Sequence, residues 1–273
     1  MRRHKLRFTL ETKQVALISA FAALIVMVTR LPGIPIIGAP GAKLQLSVVI
    51  YPIVGILLGG STGAITVLVG NLVAWLIPPS TLLGFLLVPP GAIAALVAGS
   101  LRSKQAIFDW KLAIVVLGAL NTLWYVGPVG LDAPFYPVLH WAALILIVLF
   151  RGKISSFLDS DSRKDVVLGT GVCSFAALMG DSMAGNLIFI CAVGWVIPLR
   201  SVLDAVTSLG MFWVNLGIPR LPFTGLAALF MGALVITTVE RITMTVVSTM
   251  IGSAVIRILG KGRLLISSEH NRD

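Results

Sequence analysis

The sequence contains little charge: only 12% of its 273 residues are Asp, Glu, Lys or Arg, whereas 57% are hydrophobic. Soluble domains carry about 25% charged residues, so the composition excludes an ordinary soluble protein. Residues 81–101 and 141–150 contain no charge at all, and a helix needs about 20 apolar residues to cross a bilayer. The period-2 alternation that is typical of membrane barrel strands is missing. The sequence therefore predicts an all-α, polytopic transmembrane helical bundle.

Cysteine and histidine are also scarce, and neither forms a motif. Cys173 and Cys191 lie in apolar stretches without C-x-x-C spacing, which predicts small buried side chains. None of the three histidines opens an H-E-x-x-H zinc motif, and none of the eight lysines is followed by Ser or Thr, as a P-loop requires. We therefore expect no ATPase activity in this chain, no metal site, no cofactor and no enzymatic function.

The basic residues separate the apolar segments and do not form a patch, so the net charge of +10 does not indicate nucleic-acid binding. With the N-terminus inside, 18 of the 21 lysines and arginines fall on the inner side. Only Arg30, Lys43 and Arg241 are left outside. Cytoplasmic loops retain positive charge, so this asymmetry predicts a multi-pass protein of the cell membrane with both termini in the cytoplasm.

Ten apolar segments, equivalent to eight to ten spans, follow one another along the chain. We divide it into a basic N-terminus (1–14), a six-span core (15–151), a charged linker (152–165), further membrane helices (166–258) and a tail (259–273). Glu240 and Arg241 interrupt a stretch that is compatible with one long tilted helix as well as with a hairpin, and each is interpreted as marking a helix end rather than a site. The expected segments are 15–29, 44–59, 62–77, 81–101, 112–127, 134–150, 166–180, 186–198, 222–239 and 242–258.

Two small residues on the first segment form a candidate contact surface. Ala16 and Ala20 are four residues apart and therefore share one helix face. Small side chains at this spacing allow a second helix to approach closely. The face predicts either packing within the chain or a docking surface for a partner subunit.

The uncommon polar and aromatic residues are expected at one depth, in the outer half of the bundle. An amide, an imidazole and several rings at one level would suit a small, partly planar organic ligand, although Trp and Tyr also anchor helices at the membrane interface. The loop 31–43, rich in Pro and Gly, is expected to cover this level as a lid, or else to be an ordinary connection. Asp132 is placed to add charge complementarity. The candidate substrate-binding residues are Asn71, Trp75, Asn121, Trp124, Tyr125 and His140.

Residues 13–151 resemble a known family. A helix with Ala16-x-x-x-Ala20, a Pro/Gly loop, LSVVIYPIVGILLGGSTGAITVLVGNLVAWL and TLLGFLLVPPGAIAALVAGSL are similar to the S component of an energy-coupling factor (ECF) vitamin transporter. The resemblance implies a six-span fold that binds a vitamin or another micronutrient from outside, beneath the first loop. It also implies that Ala16 and Ala20 dock on a transmembrane T component, which carries two ATPase subunits.

Two other functions stay open. A self-contained secondary transporter or channel for a small solute would use the short seventh and eighth segments as discontinuous helices around a midplane site, and would respond to ion gradients. An intramembrane enzyme would use Asp181, Glu240 or His140, each of which would then be indispensable for a covalent change in the substrate.

Overall fold

The computed structural model describes residues 12–77, 80–104, 109–219 and 222–261, and these ranges are almost entirely helical. The all-α prediction is confirmed. Among the described residues the strands form one two-stranded hairpin, in which β1 (Ile34–Pro35) pairs antiparallel with β2 (Lys43–Leu44), and an isolated bridge joins Val193 and Ile197. The helices are α1 (Thr12–Thr29), α2 (Tyr51–Leu58), α3 (Gly60–Leu76), α4 (Leu82–Leu86), α5 (Val88–Arg102), α6 (Trp110–Trp124), α7 (Pro128–Asp132), α8 (Val138–Phe150), α9 (Ile154–Leu158), α10 (Arg163–Ala192), α11 (Leu199–Asn215) and α12 (Gly225–Lys261), with a short 3-10 helix at Leu46–Val49 before α2.

Three stretches of helix in the described part of the chain are long and apolar enough to cross a membrane: Leu82–Arg102, Arg163–Ala192 and Gly225–Leu259. The protein is therefore membrane-spanning by the length and composition of its helices. Only the first of the three lies within residues 15–151, and the other apolar helices of that region are shorter. The six-span core accordingly stays a prediction.

Local sequence explains where several helices begin. Thr81 accepts a hydrogen bond from the Gly84 amide at 3.2 Å and caps α4, and Asp109 accepts from the Lys111 amide at 2.9 Å before α6. These side chains satisfy amides that have no partner inside the helix. Gly59, with φ of +85°, lets the chain turn sharply between α2 and α3, a conformation that residues with a Cβ rarely adopt.

The expected segments after residue 165 are wrong in three respects. Segments 166–180 and 186–198 are not two short helices, because α10 continues without a break from Arg163 to Ala192. Segments 222–239 and 242–258 are likewise one helix, α12, so Glu240 and Arg241 lie in its middle and mark no helix end. The helix α11 was missed because it is amphipathic, and a search for uninterrupted apolar runs passes over such a helix.

The centre of the bundle is α5, which packs against α2, α3 and α10. Backbones touch at two of these contacts. A Cβ on Gly55 would lie 2.1 Å from the Ala95 carbonyl oxygen, and one on Gly99 would lie 2.3 Å from the Gly60 nitrogen. Glycine is required at both places because no side-chain rotation can relieve a clash with backbone atoms.

The C-terminal helices share the core of the N-terminal ones. One hydrophobic cluster runs from Ile25 on α1, through Val54 and Val97, to Cys173 on α10 and Ile256 on α12. Cys173 is fully buried, as predicted, whereas the prediction is wrong for Cys191, which is exposed. The helices that follow residue 165 therefore complete the bundle formed by those that precede it.

Candidate functional site

The hairpin loop after α1 folds back onto the bundle. Ala39 and Ala42 are buried in a second hydrophobic cluster together with Phe189 of α10 and Leu229 of α12. A Cβ on Gly38 would lie 3.3 Å from the Leu229 side chain and 3.5 Å from the Phe189 ring, so the loop is in close contact with both helices. The loop thus covers the ends of helices that are distant from it in the sequence.

Beneath this loop lies a cavity of about 480 Å³, bounded by the loop, α3, the start of α5, α10 and α12. Sites for small organic molecules range from about 300 to 1,000 Å³. Three helices long enough to span a membrane contribute to its wall, through Val88, Asp181 and Arg241 among others. The cavity therefore lies within the helical bundle and has the size of a small-solute site.

A chain of hydrogen bonds fixes one wall of the cavity. Thr29 Oγ1 donates to Ser47 Oγ at 3.1 Å, Ser47 Oγ lies 3.0 Å from the Tyr51 hydroxyl, and that hydroxyl donates to Asn71 Oδ1 at 2.8 Å. Asn71 Nδ2 reaches the Val88 carbonyl oxygen at 3.5 Å. The chain of hydrogen bonds joins α1, the 3-10 helix, α2, α3 and α5, so it holds the orientation of the Asn71 amide in the cavity wall.

Charged side chains from α10 and α12 form another part of the lining. Arg241 Nη1 lies 3.1 Å from Asp181 Oδ2, and the two side chains are only 12% and 7% exposed. Arg241 Nε lies 3.4 Å from Glu240 Oε1, a contact within ion-pair range but outside hydrogen-bond alignment. One guanidinium thus serves two carboxylates inside the bundle, where uncompensated charge is costly.

Two further cations line the cavity near the loop. Arg30 follows α1 and donates from Nη2 to the Ala74 carbonyl oxygen at 2.8 Å, and Lys43 lies on β2. Within the described ranges neither forms an ion pair. Together with Arg241 they are the three basic residues that the charge count left on the outer side, and all three line this cavity.

Two of the six predicted substrate-binding residues line the cavity. Asn71 is held there by Tyr51, and Trp75 lies at the rim, where its Nε1 donates to the Thr81 carbonyl oxygen at 3.0 Å. The Trp75 ring also contacts Phe85, with centroids 4.9 Å apart.

The other four predicted residues lie behind or beside this wall. Trp124 stacks on Tyr136 with centroids 4.9 Å apart, and it is Tyr136 that reaches the cavity. The Tyr125 hydroxyl donates to the Pro134 carbonyl oxygen at 3.0 Å, outside the cavity. His140 is buried behind Tyr136, and Asn121 is buried in α6. The assignment of these four to a substrate site stays a prediction.

The remaining sequence candidates lie elsewhere. Asp132 ends the short helix α7 and is exposed, away from the cavity lining. Ala16 and Ala20 are exposed on α1, so no element in the described part of the chain covers the small-residue face.

The three residues considered for an intramembrane enzyme are arranged around Arg241. Asp181 and Glu240 contact its guanidinium directly. His140 lines a small void of about 10 Å³ that Arg241, Ser182 and Tyr136 also line. Arg241, Ser182 and Tyr136 line the main cavity as well, whereas His140 lines only the small void.

The sequence interpretation missed several residues of the wall, among them Tyr51, Tyr136, Asn186 and Phe230. Asn186 Nδ2 donates to the Tyr136 hydroxyl at 3.1 Å, which orients that ring.

The sequence does contain a signal for the charged residues of the cavity wall. Asp181 is the single charged residue between positions 166 and 199, and Glu240–Arg241 are the only ones between 222 and 256, a pattern that favours pairing within the bundle.

Comparison with known proteins yields one partial match. An uncharacterized protein of Methanocaldococcus jannaschii is 32% identical over 135 residues, which are 49% of this chain and 44% of the archaeal protein. The chain therefore aligns with less than half of that relative's length. No family model matches the chain, and no solved structure matches it at a significant level.

Proposed function

We propose that the protein is the substrate-binding membrane subunit of an ATP-driven importer for a vitamin or another small micronutrient, of the ECF type. The cavity beneath the first loop is its substrate site. One observation carries the proposal: a cavity of about 480 Å³ lies among membrane-spanning helices and is lined by oriented polar and charged groups. Polar groups at such a depth are costly, which favours a functional role over a structural one.

The likeness of residues 13–151 to an S component supplies the proposed partners, a T component with two ATPase subunits. The exposed Ala16–Ala20 face supports docking because no described helix of this chain covers it. In this proposal both termini are cytoplasmic, so that the face lies in the cytoplasmic half of α1 and the loop opens to the outside.

A second candidate is a self-contained secondary transporter. Discontinuous seventh and eighth helices no longer support it, since α10 is continuous. The Asp181–Arg241–Glu240 cluster favours it instead, because buried acid and base groups on facing helices mark ion and proton pathways in transporters.

Purification of the tagged protein in mild detergent, followed by mass spectrometry of its protein partners and bound small molecules, tests the first proposal. We expect a T-like membrane subunit, two ATPases and a vitamin-like solute. A homo-oligomer that lacks ATPases, and that accumulates solute in proteoliposomes under an ion gradient, would move the assignment to the secondary transporter.

The docking face has its own test. Ala20→Trp should abolish co-purification of the T component and ATP-driven uptake while the affinity for the solute stays unchanged, because Ala20 is exposed and distant from the cavity lining. Ala254→Trp, at an exposed position on α12, is the matched control and should preserve both. Normal uptake by the Ala20 variant would remove the docking role.

A further inference from the structure

The ionisable groups that line the cavity form two sets of opposite net charge. Arg30 and Lys43, at the two ends of the loop, carry a formal charge of +2, whereas Asp181, Glu240 and Arg241 together carry −1. No ion pair joins the two sets in the described part of the chain. A space of solute size is therefore lined by a cationic set, Arg30 and Lys43, and by a set with one net negative charge, Asp181, Glu240 and Arg241.

The cationic set, Arg30 and Lys43, is exposed to solvent and can bind an anion. One guanidinium nitrogen of Arg30 is held by the Ala74 carbonyl oxygen at 2.8 Å, which restricts the orientation of the group. Its remaining N–H donors have no carboxylate partner among the described residues. Guanidinium donors in a fixed plane match the oxygens of a carboxylate or phosphate, and Lys43 adds a second positive charge.

The set on α10 and α12 holds two carboxylates but one guanidinium. Arg241 is hydrogen-bonded to Asp181, so Glu240 has only the misaligned contact at 3.4 Å, although its side chain is just 16% exposed. Tyr136 and Phe230 line the same cavity, with their rings edge to face at 4.9 Å. A carboxylate together with aromatic faces is a suitable environment for a cationic nitrogen.

We infer that the cavity binds a small dipolar organic solute, with a cationic nitrogen facing Glu240 and Asp181 and a carboxylate or phosphate facing Arg30 and Lys43. This inference rests on the proposed function, because it takes the cavity as the substrate site. It narrows the substrate class, because a neutral solute supplies a counter-charge to neither set and a solute of one charge sign supplies it to only one.

Three probes of equal ring size test the inference on the full chain in lipid nanodiscs by isothermal titration calorimetry at pH 7. The zwitterion 4-(aminomethyl)benzoate is compared with the cation 4-methylbenzylamine and the anion 4-methylbenzoate. The zwitterion should bind about tenfold or more tightly than either analogue, since each lost charge-assisted contact weakens binding by about that factor.

Two variants test which set of cavity residues contacts which charge of the solute. Arg30→Gln should lower the affinity for the zwitterion and the anion and leave that for the cation unchanged. Glu240→Gln should lower the affinity for the zwitterion and the cation and leave that for the anion unchanged. Arg200→Gln and Asp204→Asn make the same chemical changes at exposed positions of α11, outside the cavity, and should alter none of the affinities. Glu240→Gln is isosteric and keeps the Asp181–Arg241 pair, so this variant should retain the fold.

Equal binding of the zwitterion and either analogue, or a preference that neither variant changes, would overturn the inference. If no probe binds, the charge of the solute that co-purifies with the protein tests the inference. A zwitterionic solute supports the inference, whereas a neutral or singly charged solute overturns it and leaves the proposed function intact. No probe binding and no co-purifying solute would contradict both.

Discussion

Removing the guanidinium of Arg241 should destabilise the protein more than removing the carboxylate of Asp181, although the two groups form one ion pair. Their side chains are 12% and 7% exposed and their atoms lie 3.1 Å apart, so neither charge is solvated when its partner is lost. Arg241→Gln leaves both Asp181 and Glu240 buried without a cation, and breaking such a pair costs about 3–5 kcal/mol. Asp181→Asn leaves Arg241 beside Glu240 at 3.4 Å, so its cost should be about 1–3 kcal/mol.

The free energy of unfolding can be measured by titrating SDS into mixed lipid–detergent micelles while tryptophan fluorescence is followed. Arg200→Gln, at an exposed position on α11, is the control and should cost less than about 0.5 kcal/mol. Equal costs for the Arg241 and Asp181 variants would refute the argument, because they would show that Glu240 does not share the guanidinium. A cost below about 1 kcal/mol for Arg241→Gln would show that water reaches the cluster.

Two further predictions compare pairs of like residues. Gly55→Ala should cost about 3 kcal/mol or more in the same unfolding assay, because its Cβ would lie 2.1 Å from a backbone oxygen of α5. Gly118→Ala, with no atom within 4 Å of the added Cβ, should gain about 0.5–1 kcal/mol, and similar costs for the two would contradict the packing described for α2 and α5. Asn71→Leu should weaken solute binding about tenfold, since it removes an amide of the cavity wall. Asn121→Leu should leave binding unchanged and raise stability by about 1 kcal/mol, because this buried amide has no partner among the described residues; weaker binding in that variant would return Asn121 to the site.

The sequence alone was sufficient for the membrane class, the helical fold and two residues of the cavity wall. Asn71 and Trp75 lie near the end of an apolar helix, and their expected depth is that of the cavity. Trp124 and His140 were assigned to the same depth but lie behind Tyr136. Hydropathy gives a residue's position along the membrane normal, whereas the side of the bundle that it faces depends on which helices pack against it.

The charged part of the site required tertiary structure. Asp181 and Arg241 are 60 residues apart, and the expected breaks at 180–186 and 239–242 placed them near helix ends, where charge is inexpensive. In the structure both lie inside long continuous helices, α10 and α12, where they compensate each other. Composition shows that such charges are present, but only the packing of α10 against α12 shows that they meet.

The length of α12 has a mechanical consequence. At 1.5 Å per residue its 37 residues extend about 55 Å, nearly twice the thickness of the hydrocarbon layer. Arg241 in the cavity wall and Lys261 at the far end belong to the same unbroken rod, about 30 Å apart. A tilt of about 10° around Arg241 would displace the end of this rod by about 5 Å. A small rearrangement around a bound solute would thus be amplified, without any hinge, at the opposite end of the molecule.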